Sequence, residues 1–398
     1  MKFRYFSRVA LVAGLTMLAA CSSTDDEEQK TAVAPLKKIE QRVELKEVWS
    51  ASVGDGVENY FSRLRPAVNY GKIYVADRYG SIIAFDKKSK DIVWQQDFSE
   101  VFREHALAKN KGARISAGLT VARNKVFVGS ERGLLVALEA KTGELAWEQL
   151  LKGELLSPPV VADNTVIVHA GSGTVYALNV DNGEELWRFE AQLPALTLRG
   201  TSEPIFEAGG VFVGGADGKV SVLVAANGQP AWEQSTLEVK GSNDLERMAD
   251  IDSKPLIIRD TLYTIGYNGN LTALEIRSGR VKWQRQYSSF HNLESSYNRI
   301  FLVDDSDTIH AIDSENGLEV WSNSDFKNRQ LTAAVRVGEY LLVGDLEGYL
   351  HVLATTDGSN VGRLRIDGSG IFSHPVVMDD QLLIQTRAGK IALVSIEK

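Results

Sequence analysis

The chain has 398 residues, of which 44% are hydrophobic and 24% are charged, and its formal net charge is −8. This composition is that of a soluble globular protein that can bury a core without metals or disulfides. The acidic balance and the lack of a long basic run argue against nucleic-acid binding, which needs a basic surface to meet the phosphates.

The N-terminus has the pattern of a secreted and anchored protein. Basic residues within positions 2–8 precede an apolar stretch over 9–18, which is too short to span a bilayer as a mature helix. The stretch ends in Leu-Ala-Ala-Cys, and its Cys21 is the only cysteine of the chain. Residues 22–38 are polar, which predicts a flexible tether. The predicted division is a signal peptide at 1–20, the cysteine with its linker at 21–38, and a folded part at 39–398.

The Leu-Ala-Ala-Cys ending resembles the lipobox of bacterial lipoproteins. The resemblance implies that the bond before Cys21 is cut, and that its thiol and its new amino group are both acylated. Several acyl chains anchor a protein stably, whereas one chain holds it only marginally. Ser22 stands where an aspartate would retain such a lipoprotein at the inner membrane, so the resemblance implies the outer membrane. The alternative is a soluble secreted protein whose cleavage site lies beside a cysteine.

A phrase that ends in tryptophan recurs through the folded part. Its clearest copies read Lys-Thr-Gly-Glu-Leu-Ala-Trp, ending at Trp147, and Asp-Asn-Gly-Glu-Glu-Leu-Trp, ending at Trp187. A turn residue precedes the tryptophan position by 14 residues, and another mark, often proline, lies 14 residues earlier again. The eight turn residues are Gly80, Gly133, Gly173, Gly218, Gly269, Asp307, Gly348 and Gly389.

Between these marks the sequence alternates and is rich in β-branched residues, as in 125–128 and 165–168. Such segments predict strands that are joined into hairpins by the glycine-containing turns. A proline at the start of the first strand costs no ladder hydrogen bond, and a tryptophan on the fourth strand suits packing between neighbouring sheets. Four strands in about 40 residues are typical of a propeller blade.

The turn residues predict eight blades, of which the last is incomplete. Gly389 would need its fourth-strand partner 14 residues on, beyond the end of the chain at Lys398. Trp49, in contrast, has no first three strands before it. We therefore predict an all-β fold, an eight-bladed β-propeller of four-stranded antiparallel blades. The N-terminal strand around Trp49 completes the C-terminal blade and closes the ring, whereas an open stack would leave both half-blades bare.

Two long connections between blades predict a binding surface. The connection after Trp187 has 17 residues and the one after Trp232 has 23, against 10 to 13 in the shorter connections. Equivalent connections of a propeller open on one face, so two consecutive insertions predict one contiguous patch, and such loops commonly carry function. The second insertion contains the acidic residues Asp244, Glu246, Asp250 and Asp252.

The first insertion contains Leu196 and Leu198, which would point to one side of an extended segment, with Arg199 beside them. An apolar edge that ends in arginine is a plausible anchor for a partner, by strand addition for example. Alternatively, Arg199 pairs with Asp250 or Asp252 and only pins the two loops together. The residues alone leave both interpretations open.

The spacing Ala-Leu-x4-Gly-x3-Trp, as in 137–147, resembles the repeat of the pyrroloquinoline-quinone (PQQ) propeller family. When the lipobox and the chain length are considered as well, the sequence resembles one group within that family, the propeller lipoproteins of the β-barrel assembly machinery of Gram-negative bacteria. This resemblance covers the whole chain. Its most specific segments are 198–200, 250–252 and 266–274.

The resemblance implies a non-catalytic scaffold without a cofactor. It would bind the periplasmic (POTRA) region of BamA, the barrel-forming subunit, and assist the folding and insertion of outer-membrane β-barrel proteins. Unfolded barrel substrates are left open as further partners. The residues that match the family's BamA-binding positions are Leu196, Leu198, Arg199, Asp250 and Asp252.

Two other classes remain as alternatives. A PQQ-dependent dehydrogenase would need residues for the quinone and its calcium ion, and no acidic cluster recurs at a position that would face the axis. The six histidines are scattered without the spacing of metal ligands, and His169 and His351 lie in strand patterns that predict packing. A periplasmic ligand-binding propeller would favour exposed aromatic residues, but the repeat accounts for every tryptophan.

Overall fold

The computed structural model describes residues 32–104, 112–237, 243 and 248–397. The predictions for the signal peptide and Cys21 lie outside the described residues, and so do those for Asp244 and Glu246. The predicted all-β architecture is confirmed, because the described residues form four-stranded antiparallel sheets and one short helix, α1 (Ser99–Glu104).

The described residues contain eight such sheets, and seven of them are each built from one continuous segment. We number these as blades 1 to 7 in chain order and the remaining sheet as blade 8. Blades 1 to 4 contain strands β2 to β17: Ala67–Asn69, Lys72–Ala76, Ser81–Asp86, Ile92–Asp97; Thr120–Ala122, Lys125–Gly129, Leu134–Glu139, Leu145–Leu150; Val160–Ala162, Thr165–His169, Thr174–Asn179, Glu185–Glu190; Ile205–Glu207, Gly210–Gly214, Lys219–Val224, Pro230–Ser235. Blades 5 to 7 contain β18 to β29: Leu256–Ile258, Thr261–Ile265, Asn270–Glu275, Val281–Gln286; Glu294–Ser296, Arg299–Val303, Ile309–Asp313, Glu319–Asn323; Val335–Val337, Tyr340–Gly344, Tyr349–Ala354, Asn360–Arg365. Blade 8 contains β1 and β30 to β32: Glu44–Ser52, Val376–Met378, Gln381–Gln385, Lys390–Glu397.

Blade 8 closes the ring as the sequence predicts. The N-terminal β1 pairs antiparallel with the C-terminal β32, so that Glu44 lies opposite Glu397 and Ser52 lies opposite Lys390. The sheet order β1-β32-β31-β30 makes β1 the fourth, outer strand of this blade. Both ends of the folded part are thereby held in one sheet.

The tryptophans pack between neighbouring blades, which confirms their predicted role. Trp147 in blade 2 donates from its indole Nε1 to the carbonyl oxygen of Val180 in blade 3 at 2.9 Å. The turn that follows Val180 contains Gly183 at φ +75°, and a Cβ there would lie 2.6 Å from Cε3 of Trp147. Only glycine allows the indole to approach this closely. Equivalent hydrogen bonds join Trp94 to Ala140, Trp187 to Ala225, Trp232 to Ile276, Trp283 to Ser314 and Trp321 to Thr355.

Gly362 replaces the tryptophan of blade 7 for a topological reason. Blade 8 has no turn between its third and fourth strands, because β32 and β1 are not consecutive in the sequence. The N-terminal segment lies in the corresponding place, where Val43 donates its N–H to Val361 O at 3.1 Å. A Cβ on Gly362 would lie 2.9 Å from Val43 O, so the backbone there occupies the space that an indole would need.

Residues 32–38, predicted as part of a flexible tether, instead contact the connection between blades 6 and 7. Ala34 donates its N–H to Lys327 O at 2.9 Å, and Nη1 of Arg329 donates to Ala34 O at 2.7 Å. Arg329 is only 2% exposed, and a buried guanidinium needs acceptors for its N–H groups. The tether prediction is therefore wrong for these residues, and the folded part begins before residue 39.

Candidate functional site

The described residues of the two long insertions contact each other on one face of the propeller, as the prediction of a contiguous patch requires. The first runs from β13 to β14 and contains residues 191–200, which we call the partner loop. The second joins β17 to β18 and contains Asp250 and Asp252. Leu198 of the partner loop donates its N–H to Oδ2 of Asp250 at 3.1 Å.

Asp250 and Asp252 lie beneath the partner loop and are 2% and 4% exposed. Asp250 is also fixed through its own backbone, because Tyr267 donates its N–H to Asp250 O at 2.8 Å. Burial raises the pKa of Asp250, and the charge of Asp252 raises it further. Burial likewise raises the pKa of Asp252, although the positive charge of Arg63 opposes this. The two buried carboxyls therefore bind a proton more strongly than exposed carboxyls would.

Asp252 packs against the backbone of the partner loop at Gly200. A Cβ on Gly200 would lie 1.9 Å from Oδ2 of Asp252, so no larger residue fits there without displacing the carboxyl. Arg63, from the connection between blades 8 and 1, donates from Nη1 to Thr201 O at 2.8 Å and to Asp252 O at 2.9 Å. Blades 1, 4 and 5 are thereby joined at the base of the partner loop.

Arg199 does not pair with either aspartate, so the alternative interpretation of its role is wrong. Its Nη2 lies 3.2 Å from Oε1 of Glu131 and 3.2 Å from Oε1 of Glu154. The aspartates are buried under the loop, whereas the Arg199 side chain is 44% exposed and extends over blade 2 and the connection that follows it. The cation is therefore held at the rim of the patch by one buried carboxylate, Glu131, and one exposed carboxylate, Glu154.

Sequence reasoning missed the charged residues that hold Arg199 in place. Glu131 is buried and accepts from Nη2 of Arg78 at 2.7 Å, and the Arg78 guanidinium lies 4.2 Å from the ring centre of Tyr60. Burial opposes ionisation of Glu131, but Arg78 and Arg199 outweigh it and lower its pKa. Arg78 and Glu131 lie in the turns between the second and third strands of blades 1 and 2. Their positions beside Gly80 and Gly133 were the available signal, because those turns share a face with the long connections.

The partner loop exposes apolar side chains, but it is not an extended edge. Leu193 and Leu196 are 45% and 41% exposed, whereas Leu198 is half-buried. No residue from 191 to 204 belongs to a strand. The predicted arrangement, with Leu196 and Leu198 on one side of a straight segment, is therefore wrong. The bond from Leu198 N–H to Asp250 draws that part of the loop inward and leaves Leu196 outside.

The histidines of the described residues serve packing and ion pairing. His169 and His351 are buried, as predicted, and Nε2 of His351 lies 2.8 Å from Oδ2 of Asp345. His310 lies between Asp304 and Glu319, at 3.1 and 2.7 Å. Burial alone would lower the pKa of His310, but these two carboxylates outweigh it and raise it. The part of the chain that the structure describes contains no group of three or more side chains suited to a metal ion.

Comparisons with known proteins point to one family. The family model described as outer membrane protein assembly factor BamB matches residues 44–111 and 103–323. The outer membrane protein assembly factor BamB of Shewanella oneidensis is 54% identical over 388 residues, which cover 97% of this chain and 98% of the relative. The crystal structure of BamB from Moraxella catarrhalis superposes with a TM-score of 0.78 at 26% identity, covering 88% of this chain and 100% of that one. A europium-containing methanol dehydrogenase superposes with a TM-score of 0.69 at 14% identity, covering 88% and 93%, which reflects a shared fold alone.

Proposed function

Because the chain belongs to the BamB family of outer membrane protein assembly factors, we propose that it is a non-catalytic scaffold of the β-barrel assembly machinery. In this proposal the partner loop binds the periplasmic POTRA region of BamA. The complex then assists the folding and insertion of outer-membrane β-barrel proteins. Neither a cofactor nor a chemical step is required for this role.

The organisation of the partner loop supports this proposal. The loop exposes Leu193 and Leu196, and it is fixed from beneath by Asp250. Arg199 is held at its rim by Glu131 and Glu154. Arginine is enriched among the hot spots of protein interfaces, and surrounding contacts such as these leucines exclude water from it. A preorganised loop also loses less conformational entropy on binding than a disordered one.

The proposed location is the periplasmic side of the outer membrane, with Cys21 as the acylated anchor. The lipobox that ends at Cys21 supports the anchor, and Ser22 after it supports the outer membrane. Among the described residues, no helix has the length and apolar character needed to cross a bilayer. Acyl chains on Cys21 would hold the propeller at the membrane surface.

Site-specific photo-crosslinking tests the binding surface. A photoreactive residue at position 196 or 199 of the full chain, expressed in a Gram-negative host, should give an adduct with BamA. Position 198, which is half-buried, should crosslink less. Leu318 is a matched control, because it is 59% exposed and lies directly before β25 of blade 6, away from the patch. The surface assignment is overturned if positions 196 and 199 give no BamA adduct, or no more than position 318 gives.

A further inference from the structure

The repeat places one residue of each blade in a ring around the propeller axis. These residues lie two positions before the first strand of their blade and 15 positions ahead of each turn residue. Arg65 of blade 1 and Glu203 of blade 4 belong to this ring, and they form an ion pair at 2.7 Å although their blades are three apart. Such a contact crosses the axis. The ring consists of Arg65, Gly118, Pro158, Glu203, Lys254, Asn292, Ala333 and His374.

The charges of this axial ring do not balance. Glu203 accepts from Nη2 of Arg65 at 2.7 Å and from Nζ of Lys254 at 2.7 Å. Burial opposes ionisation of Glu203, but the two cations outweigh it and lower its pKa to about 2. Two cations therefore share one carboxylate, and the cluster carries one positive charge in excess. This excess arises at the axis of a chain whose formal net charge is −8.

A cavity of about 440 Å³ ends on these three charged side chains. Its other walls come from the first strands of blades 2, 3 and 4 and the residues before them, which are mainly apolar. Small-molecule pockets span roughly 300–1,000 Å³ and combine apolar walls with a few polar groups, as this cavity does. The apolar wall residues are Leu119, Val121, Pro158, Pro159, Val160, Pro204, Ile205 and Phe206.

Lys254 has the capacity to bind a further acceptor. Its side chain is 42% exposed, whereas those of Arg65 and Glu203 are 13% and 10% exposed. An ammonium group has three N–H donors, and the described residues provide an acceptor for one of them, Oε1 of Glu203. The remaining donors are available to a ligand in the cavity that Lys254 lines.

We propose that this axial cavity binds an aliphatic carboxylate. The carboxylate group would lie between Lys254 and Arg65, so that two cations and two anions alternate at the floor. The aliphatic body would contact Val160 and Ile205 on the walls. The site differs from the partner loop in position and chemistry, and it does not depend on BamA binding.

Octanoate is a suitable probe, with octanol as its uncharged counterpart. The full chain carrying Cys21→Ala, which removes the acylation site, is labelled on its Val, Leu and Ile methyl groups. Octanoate below its micelle concentration should shift the methyl resonances of Val160 and Ile205 in a saturable manner and leave Leu318 unchanged. Octanol should bind at least about tenfold more weakly. The proposal is overturned if octanoate leaves the cavity methyls unshifted, or if octanol binds as well.

Two substitutions at Lys254 test whether its positive charge is needed for octanoate binding, in variants that should still fold. Lys254→Met removes the excess charge but leaves Glu203 paired with Arg65, so the chain should still fold. It should weaken octanoate binding at least about tenfold, whereas Lys254→Arg should retain binding within about threefold. Lys282→Met is the matched control, because Lys282 pairs with Asp260 in blade 5, away from the cavity.

Filling the cavity provides an independent test. Val160→Phe places a larger apolar side chain on the wall without altering any charge, and it should abolish octanoate binding. Thermal unfolding of each variant establishes that it is folded before binding is measured. Octanoate binding that persists in both Lys254→Met and Val160→Phe would place the ligand elsewhere and overturn the proposal. If Val160→Phe does not fold, the Lys254 pair and the octanol comparison decide the outcome alone.

Discussion

The backbone N–H of Leu198 donates a hydrogen bond to Oδ2 of Asp250 at 3.1 Å, and this bond joins the partner loop to the insertion of the next blade. Asp250 is 2% exposed and lies beside Asp252, and burial raises the pKa of both carboxyls although the positive charge of Arg63 opposes it. Ionising both would place two like charges in a buried site. The partner loop is therefore held by a pair that retains a proton.

Protonation of this pair makes stability depend on pH. The pKa of Asp250 rises from 3.8 to about 8 on folding, so the folded state binds more protons than the unfolded state between these values. The free energy of unfolding should therefore fall as pH rises through this window. Asp250→Asn keeps an oxygen for Leu198 N–H and supplies N–H donors for Asp252. Urea unfolding measures how much the free energy of unfolding falls between pH 6 and pH 9. This fall should be smaller for the variant than for the original chain, by at least about 1 kcal/mol. Equal losses would contradict the raised pKa of Asp250.

Arg199→Ala should weaken partner binding more than it weakens the fold. Glu131 stays paired with Arg78 in the variant, and exposed ion pairs contribute about 1 kcal/mol or less. Affinity for the periplasmic region of BamA, measured by calorimetry, should fall at least about tenfold. Arg188→Ala is the control, since Arg188 forms an exposed pair with Glu185 on β13. A comparable loss of affinity in both variants would argue against a specific role for Arg199.

Acylation of Cys21 should determine where the protein is found in the cell. Cys21→Ala should release the protein from membranes into the periplasmic fraction, because the acyl chains have no other attachment site in the lipobox. Ser22→Asp should keep the anchor but shift the protein to the inner membrane, as the lipoprotein resemblance implies. Separation of the two membranes by density and immunoblotting measures both. Membrane retention of Cys21→Ala would contradict the anchor.

The eight-bladed propeller could be predicted because the same types of residue recur at fixed intervals along the sequence. The 14-residue spacing located the turn between the second and third strands of each blade, and Trp49, which has no three strands before it, indicated how the ring closes. The same pattern did not predict the β-bulge that occurs in the fourth strand of every blade. In blade 2, for example, Ala137 pairs with Trp147 but Leu138 pairs with Leu145, so the fourth strand has one extra residue. Side-chain spacing along one strand does not reveal an extra residue opposite its neighbour.

The ion-pair partners of the site residues could not be predicted from the sequence, for a different reason. Arg199 contacts Glu131 and Glu154, which lie in separate segments of the chain, and no local spacing connects them. Asp250 and Asp252, in the next insertion, were the carboxyls that the sequence offered as alternative partners. Their burial beneath the loop prevents that pairing, and burial of a short insertion depends on how consecutive blades pack.

Gly183→Ala should destabilise the propeller more than Gly209→Ala, although both glycines have positive φ, +75° and +80°. An alanine at either position adopts a left-handed conformation at a cost of roughly 1–2 kcal/mol. At Gly183 the new Cβ would also lie 2.6 Å from Cε3 of Trp147, whereas at Gly209 no atom lies within 4 Å. The indole cannot move away, because its Nε1 donates to Val180 O and its ring is 7% exposed.

The overlap should cost a further ~1–3 kcal/mol, the usual range for overpacking in a core. Chemical denaturation of the two variants measures the difference directly, with Gly209→Ala subtracting the backbone contribution. Equal destabilisation would mean that the contact between Gly183 and Trp147 does not limit how closely blades 2 and 3 pack. A larger loss at Gly183 would establish that each turn glycine serves the neighbouring blade as well as its own turn.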